Sequence, residues 1–176
     1  MPFTLFHGLL AFFIVAAFTS DNRLKILALA AGLLPDLDGI AILSDYNLFM
    51  ALHHELLHPP VYGIIFAAIA AFALHRIAIM DWKQSFAVFA FAYMLHPVTD
   101  VILTDWPVKL LWPLSSTQYA DIFAISFEMR MAANLLLGGV LLVFSVQELH
   151  LFATIAKAGK AGKPAVYGAS AQGRLI

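Results

Sequence analysis

The chain contains no cysteine, and only 12% of its 176 residues are charged. Without cysteine there is no disulfide and no thiolate metal ligand. The net charge is -1 and the basic residues are scattered, which argues against a nucleic-acid-binding surface. Hydrophobic residues instead make up 62% of the chain, far more than in a water-soluble protein. The composition therefore indicates a membrane protein with no room for a separate soluble domain.

Apolar runs predict an all-α, polytopic membrane bundle of about five transmembrane helices, because each crossing needs roughly 20 apolar residues. The second run contains Pro35 and two aspartates, so we expect this span to break in its later half. His96 and Pro97 interrupt the fourth run. A segment with two Trp-Pro pairs precedes the last run and is predicted to lie at the membrane surface. The runs are residues 3–19, 24–43, 59–79, 82–103 and 129–146, and the interfacial segment is residues 106–121.

The basic residues also predict an orientation. In a five-span arrangement, eight of the ten lysines and arginines fall on one side of the membrane. The positive-inside rule makes that side cytoplasmic, so we expect an external N-terminus and a cytoplasmic C-terminus. Residues 1–150 would form the membrane-embedded domain with the metal site, and residues 151–176 a cytoplasmic, disordered tail.

Four of the predicted spans or their ends carry histidine or aspartate in the outer half of the membrane. At a helical rise of about 1.5 Å per residue, His7, Asp36 and His96 each lie roughly 18 to 20 Å above the cytoplasmic end of their span. Ionisable groups at such depth are costly and usually mark function. Imidazole and carboxylate without sulfur suit zinc, with manganese and iron as alternatives. The predicted ligands are His7, Asp36, Asp38, His53, His54, His58, His96 and Asp100.

The spacing of these residues supports a shared site. His96 and Asp100 are four residues apart and so share one helix face, as do His54 and His58. Asp36 and Asp38 are two apart, which does not fit one regular face, but the flanking proline and glycine permit a local break that turns both inward. Eight ligands exceed what one tetrahedral site needs. This surplus favours a cluster of two or more metal ions, whose usual chemistry is hydrolysis of phosphoesters or amides.

The motifs together resemble a known family. Residues 33–38 (LLPDLD), the pair His53 and His58, the HPVTD run that ends at Asp100, and residues 104–114 (TDWPVKLLWPL) occur in the order seen in the YdjM-like family of inner-membrane, predicted metal-dependent hydrolases. The resemblance implies a bacterial cytoplasmic membrane protein. Its implied metal ligands are His7, Asp36, Asp38, His53, His58, His96 and Asp100.

Several residues of the chain depart from the family pattern. His54 and Glu55 stand where the family usually has arginine and glycine, Leu57 replaces a threonine and Pro59 a serine. Pro107 takes the place of a common glycine. The family is in turn distantly similar to the all-helical zinc phospholipase C and P1 nuclease group, whose histidine and aspartate ligands bind metal clusters that hydrolyse phosphoesters.

The first functional hypothesis is a metal-dependent hydrolase, most simply a phosphoesterase. It would act on a lipid or lipid-linked substrate at the outer face of the cytoplasmic membrane, with membrane lipids and not nucleic acids as partners. Asp38 or Glu55 would act as the general base. Arg130, which opens the last span, would clamp the phosphate.

The second hypothesis is an intramembrane zinc protease, because residues 54–58 spell HExxH. In a helix, this motif turns both histidines to one zinc ion and makes the glutamate the base. Two prolines follow directly and disfavour a helix there. The Asp-Gly pair that such proteases carry after the motif lies before it in this chain. The third hypothesis is a non-catalytic metal sensor, transporter or scaffold, although the apolar inner halves of the spans leave no continuous polar path.

Overall fold

A computed structural model describes residues 4–161, which form six α-helices and one 3₁₀ helix. Within these residues the β pairing is limited to one bridge between Val108 and Tyr119. The all-α prediction is confirmed. The elements are α1 (Thr4–Ala16), α2 (Asn22–Leu33), the 3₁₀ helix (Leu34–Leu43), α3 (Tyr46–Leu52), α4 (Pro60–Arg76), α5 (Trp82–Leu103) and α6 (Phe127–Ala161).

Among residues 4–161, three stretches are long and apolar enough to cross a membrane: Asn22–Leu43, Trp82–Leu103 and Phe127–His150. The apolar helices α1 and α4 coincide with the first and third predicted spans but are shorter, at 13 and 17 residues. Large apolar side chains cover the outside of the bundle, and Phe72 and Val140 are more than 60% exposed. Such a continuous apolar exterior is the surface that faces lipid. The chain is therefore a helical membrane protein.

The predicted break in the second span is confirmed, because α2 ends at Leu33 and the chain continues as the 3₁₀ helix, with Pro35 in its first turn. His96 and Pro97 interrupt the apolar sequence of the fourth span but not its helix, because α5 runs unbroken through Pro97. Proline is tolerated inside membrane helices, where neighbouring groups satisfy the freed carbonyl.

The last helix extends further than predicted. α6 runs to Ala161, whereas the apolar run ends at Val146. The predicted tail, residues 151–176, thus begins inside this helix, and its residues 162–176 lie outside the described part of the chain.

Glycine allows the helices of the core to approach closely. A Cβ added at Gly32 of α2 would lie 2.9 Å from the backbone oxygen of His7 in α1. One added at Gly63 of α4 would lie 2.5 Å from Cδ1 of Tyr93 in α5. Tyr93 is fully buried and donates a hydrogen bond from its hydroxyl to the carbonyl of Leu57, just before α4. These contacts bring α1, α2, α4 and α5 together around one core.

Polar contacts tie the opposite end of the bundle together. Lys25 of α2 is 1% exposed, and its Nζ lies 2.8 Å from Oε1 of Glu148 in α6. Arg23 donates a hydrogen bond of 2.7 Å to the carbonyl of Ile79, which lies between α4 and α5. The start of α2 therefore holds both α6 and the turn after α4.

The close packing of α4 on α5 can be tested at Gly63. We expect Gly63→Ala to destabilise the protein by about 1–3 kcal/mol, because the new methyl group overpacks against a buried ring. The measurement is the midpoint of thermal unfolding in detergent, followed by circular dichroism. Gly138→Ala is the matched control, since a Cβ there meets nothing within 4 Å and alanine is the better helix former. Equal midpoints for Gly63→Ala and the wild type would contradict the packing.

Candidate metal centre

All eight predicted ligands lie in one buried cluster at one end of the bundle. They come from the start of α1, the 3₁₀ helix, the turn between α3 and α4, and the end of α5. Each of their side chains is exposed by 4% or less. The predicted convergence of distant polar residues is therefore what the structure shows. The members are His7, Asp36, Asp38, His53, His54, His58, His96 and Asp100.

Two helices build the first half of the cluster. His96 and Asp100 are one turn apart on α5, and His96 Nε2 lies 3.3 Å from Asp100 Oδ2. His7 of α1 stacks on His96 with ring centroids 3.7 Å apart, and its Nε2 lies 3.3 Å from Asp100 Oδ1. The close contact at Gly32 is what brings α1 and α2 near enough for His7 to reach this position.

A turn, and not a helix, builds the second half. His54 has a φ of 67°, a left-handed conformation that is uncommon outside glycine but adopted by histidine more often than by most residues. The adjacent rings of His53 and His54 consequently lie only 4.6 Å apart, and His54 stacks on His58 at 4.2 Å. The prediction that His54 and His58 share a helix face is wrong. The turn brings both histidines of the doublet, His53 and His54, into the site.

The hydrogen bonds of four histidines fix which ring nitrogen carries the proton. Each donates a hydrogen bond from Nδ1 to an oxygen atom, which is a carboxylate oxygen, a carbonyl oxygen or a threonine hydroxyl. The threonine hydroxyl acts as the acceptor because its own proton is directed at carbonyls of α5. Nε2 therefore carries a lone pair in the neutral ring. The bonds are His7 to Thr99 Oγ1 at 2.8 Å, His53 to Asp38 Oδ1 at 2.6 Å, His58 to Asp38 Oδ2 at 3.2 Å, and His96 to Gly32 O at 2.7 Å.

These lone pairs point at negative oxygens. His96 Nε2 lies 3.4 Å from Asp36 Oδ1, and His58 Nε2 lies 3.5 Å from both Asp36 Oδ1 and Asp100 Oδ2. A lone pair that faces a carboxylate in a dry interior is unfavourable unless a cation lies between them. The Nε2 atoms of His53, His54, His58 and His96 are buried without a hydrogen-bond partner, as are Asp36 Oδ2 and Asp100 Oδ2. The donor set thus fits a divalent metal.

The donors divide into three groups whose ligand atoms lie within 4.8 Å of one another. Two of the groups share no residue, which is consistent with more than one ion. Nitrogen and oxygen donors suit zinc, manganese or iron, and zinc remains the predicted metal. The groups are His53, His54 and His58; His7, His96 and Asp100; and Asp36, His58 and His96.

His54 is a buried imidazole without a hydrogen-bond partner. Neither of its ring nitrogens has a hydrogen-bond partner. Burial, together with the neighbouring His58, lowers the pKa of the His54 imidazole to about 3. The ring is therefore uncharged near neutral pH, and neutral imidazole is the form that binds a metal.

Asp38 forms hydrogen bonds with two of the predicted metal ligands. Its two oxygens accept hydrogen bonds from Nδ1 of His53 and of His58, and Oδ2 also accepts from the amide of Leu57 at 3.3 Å. A carboxylate on the far side of a ligating imidazole orients the ring and raises its basicity. Asp38 is thus positioned to support two predicted ligands, and its own roles as ligand and general base stay predictions.

Glu55 and Arg130 contact the segment between α5 and α6. The oxygens of Glu55 bond Lys109 Nζ and, at 3.3 Å, Gln118 Nε2. Arg130 Nε donates to the carbonyl of Ile125, and one Nη donates to Asp121 Oδ2 at 3.1 Å. Both side chains hold this segment in place, and their roles as base and phosphate clamp stay predictions.

Sequence reasoning missed two side chains of the site. Thr99 holds the ring of His7, and Trp106 stacks on His54 with centroids 5.3 Å apart while its edge meets His53 at 5.2 Å. Trp106 is predicted as a membrane-interface anchor, because an isolated tryptophan near a span end carries no signal of a contact made through the fold. A threonine one helical turn after a ligating histidine carries none either.

The fold and the site define a class: an all-helical membrane protein with a buried cluster of histidine and aspartate. A family model described as YdjM inner membrane protein matches residues 1–166. The chain belongs to this family. A search of the curated proteins and a search of the solved structures each found no match, so the likeness to the phospholipase C and P1 nuclease group stays a prediction.

The supporting role of Asp38 can be tested by metal affinity. We expect Asp38→Asn to weaken metal binding by about 10- to 100-fold, the usual cost of removing a carboxylate that orients a ligating imidazole. Competition with a chromogenic chelator measures this affinity on detergent-purified protein. Asp45→Asn is the control, because Asp45 is an exposed acid that caps α3. Complete loss of metal from correctly folded Asp38→Asn would instead make Asp38 a ligand.

Proposed function

We propose that this protein is a metal-dependent hydrolase that cleaves a phosphoester bond of a lipid or lipid-linked substrate. The observation that carries the proposal is the set of buried imidazole and carboxylate atoms that converge without hydrogen-bond partners. A bound divalent metal supplies a Lewis acid and lowers the pKa of water at such a site. Zinc suits the donors, and two ions suit their number.

The chain's own residues prepare the site before any substrate arrives. Asp38 holds the rings of His53 and His58, and the carbonyl of Gly32 holds His96. Because these rings are fixed by hydrogen bonds and burial, their Nε2 atoms need no reorganisation. The surrounding core keeps bulk water away, which strengthens every electrostatic interaction inside.

The charge of the cluster favours an anionic substrate. The carboxylates of Asp36, Asp38 and Asp100 carry three negative charges, and the imidazoles are neutral when they act as ligands. Two divalent ions would leave the cluster with net positive charge, which attracts a phosphate group. A peptide bond carries no charge that this arrangement would recognise.

The same geometry argues against the hypothesis of a zinc protease. Its glutamate, Glu55, is bonded to Lys109 and Gln118, and its two histidines lie in a turn with left-handed backbone at His54. An HExxH motif acts from a helix, with its glutamate beside the metal. The phosphoesterase requires neither condition.

The proposal places the cluster at the outer face of the membrane. The basic residues Arg23, Lys25, Arg76 and Lys83 lie at the start of α2, the end of α4 and the start of α5. The cluster lies at the other end of these same helices. If the basic end is cytoplasmic, then the metal centre, the loop before α6 and the N-terminal end of α1 are external.

The decisive experiment measures metal and hydrolysis together. Detergent-purified wild type is expected to contain bound metal by mass spectrometry and to hydrolyse a phosphoester. His96→Ala should lose most of both, because it removes a donor common to two of the three ligand groups. Glu55→Ala should keep its metal and most of its activity. Wild-type protein that binds no metal when metal is supplied would overturn the proposal, and cleavage of a transmembrane peptide alone would replace it with the protease.

The orientation can be tested because the chain has no cysteine of its own. Single cysteines at Ser116→Cys and Ile77→Cys lie on exposed positions in the loop before α6 and just after α4. We expect a membrane-impermeant maleimide to label the first in intact cells and the second only after the membrane is opened. The reverse pattern would place the metal centre on the cytoplasmic side.

A further inference from the structure

We propose that a cavity beside the 3₁₀ helix binds the hydrocarbon chain of the substrate. The substrate class is then a phosphate ester that carries a long hydrocarbon chain and reaches the metal centre from within the membrane. This inference rests on the proposed hydrolase function, and it adds the path of the substrate and the residues that select it.

The cavity borders the candidate metal centre. It has a volume of about 400 Å³, and two of its lining residues are Asp36 and His53, a size within the usual range for small-molecule sites. Asp36 Oδ2 and His53 Nε2 are both buried without a hydrogen-bond partner. The polar end of the cavity is therefore the edge of the metal cluster itself, where the phosphate would lie.

Apart from Thr4 and Gly39, the other lining residues of the cavity are apolar, and they reach the lipid-facing surface. Ile40, Ile42, Leu43 and Phe49 line it, and Leu43 is 84% exposed while Ile40 is 59% exposed. The first three belong to the candidate membrane span Asn22–Leu43. A cavity that is polar at its inner end and apolar toward the lipid matches an amphiphile with a phosphate head and a hydrocarbon chain.

The 3₁₀ geometry creates this opening. With three residues per turn, Asp36, Gly39 and Ile42 fall in one row along the helix, and all three line the cavity. Gly39 has no side chain, so the row has a gap between the carboxylate and the isoleucine. A Cβ added there would lie 3.8 Å from the ring of His53 and 3.8 Å from that of Phe49, which is ordinary contact. Alanine therefore fits, whereas a longer side chain must extend into the cavity.

The loop before α6 covers the cluster beside His54. Trp106 stacks on His54, and Lys109 pairs with Glu55. Thr104 and Val108 of the same loop are fully buried. A substrate that approaches through water on this side meets packed side chains, while one in the membrane meets the cavity beside Gly39.

The test compares two substrates that share a phosphate head. Dioleoyl phosphatidic acid carries hydrocarbon chains, and glycerol 3-phosphate is its chain-free counterpart. In Gly39→Leu, we expect the rate on phosphatidic acid to fall about tenfold or more, as excluding roughly two methylene groups from apolar contact predicts. The rate on glycerol 3-phosphate and the metal content should stay close to wild type. Gly39→Ala is the matched control and should behave as wild type on both substrates.

A second variant keeps the inference testable if Gly39→Leu does not fold. Leu43→Asn places an amide on the exposed rim of the cavity and should raise the KM for phosphatidic acid but not for glycerol 3-phosphate. Leu114→Asn is its control, since Leu114 is 93% exposed and does not line the cavity. Equal effects on both substrates, or no effect on either, would overturn the assignment of the cavity.

A binding measurement separates this inference from the proposed activity. Trp82→Phe with Trp112→Phe leaves Trp106, which contacts Phe49 and His53 in the cavity wall. We expect saturable quenching of its fluorescence by phosphatidic acid with brominated chains, competed by the unbrominated lipid and lost in Gly39→Leu. If the wild type hydrolyses neither substrate, the proposed function fails. The quenching measurement then decides by itself whether the cavity binds the hydrocarbon chain. Quenching unchanged by Gly39→Leu would refute the cavity.

Discussion

The constraint on which the whole arrangement depends is the burial of three carboxylates and five imidazoles where water does not reach. Four of the imidazoles donate a hydrogen bond from Nδ1 to an oxygen of the protein. The lone pairs of their Nε2 atoms therefore point into the cluster. There they meet the oxygens of Asp36 and Asp100. Neutral donors and anionic donors concentrated in one dry volume form a stable interior only around positive charge. A cation bound by these candidate ligands would therefore stabilise the fold.

The helix contacts can be understood as the means of satisfying this constraint. Gly32 does two things at once: its missing side chain admits α1, and its carbonyl accepts the proton of His96. Tyr93 does the same between α4 and α5, because its ring packs on Gly63 while its hydroxyl holds the carbonyl of Leu57 next to His58. Packing and ligand orientation therefore use the same residues. A change in helix spacing would displace the ligands.

Much of the site was predictable because polar residues are conspicuous in an apolar chain. Asp36 beside a proline predicted the break in the second span, and His96 with Asp100 predicted a shared helix face. What could not be predicted depended on contacts that no spacing encodes. Asp38 has the same residue type as Asp36, but the turn at His54 brings rings to its oxygens and makes it a support. Pro97 does not interrupt α5, because the local rule for proline yields to the packing around it.

The HExxH spelling shows why a motif must be read together with its backbone. The same letters in a helix would separate His53 from His54 by about 100° around the axis. With left-handed backbone at His54, both rings face one cluster. Glu55 is then free to pair with Lys109 on the other side of the turn. One residue in an uncommon conformation thus converts a familiar catalytic sequence into part of a different site.

The 3₁₀ helix also changes how far the second span reaches. Its ten residues rise about 2.0 Å each where an α-helix would rise about 1.5 Å, so Asn22–Leu43 is about 5 Å longer than an α-helix of equal length. A bilayer has a hydrocarbon core of about 30 Å, with the phosphates of its lipids just beyond it. In the proposed orientation, this extra length would carry the exposed end of the helix toward that phosphate layer, and Asp36 would lie below it. The ester groups of a lipid would then lie near the candidate metal ligands.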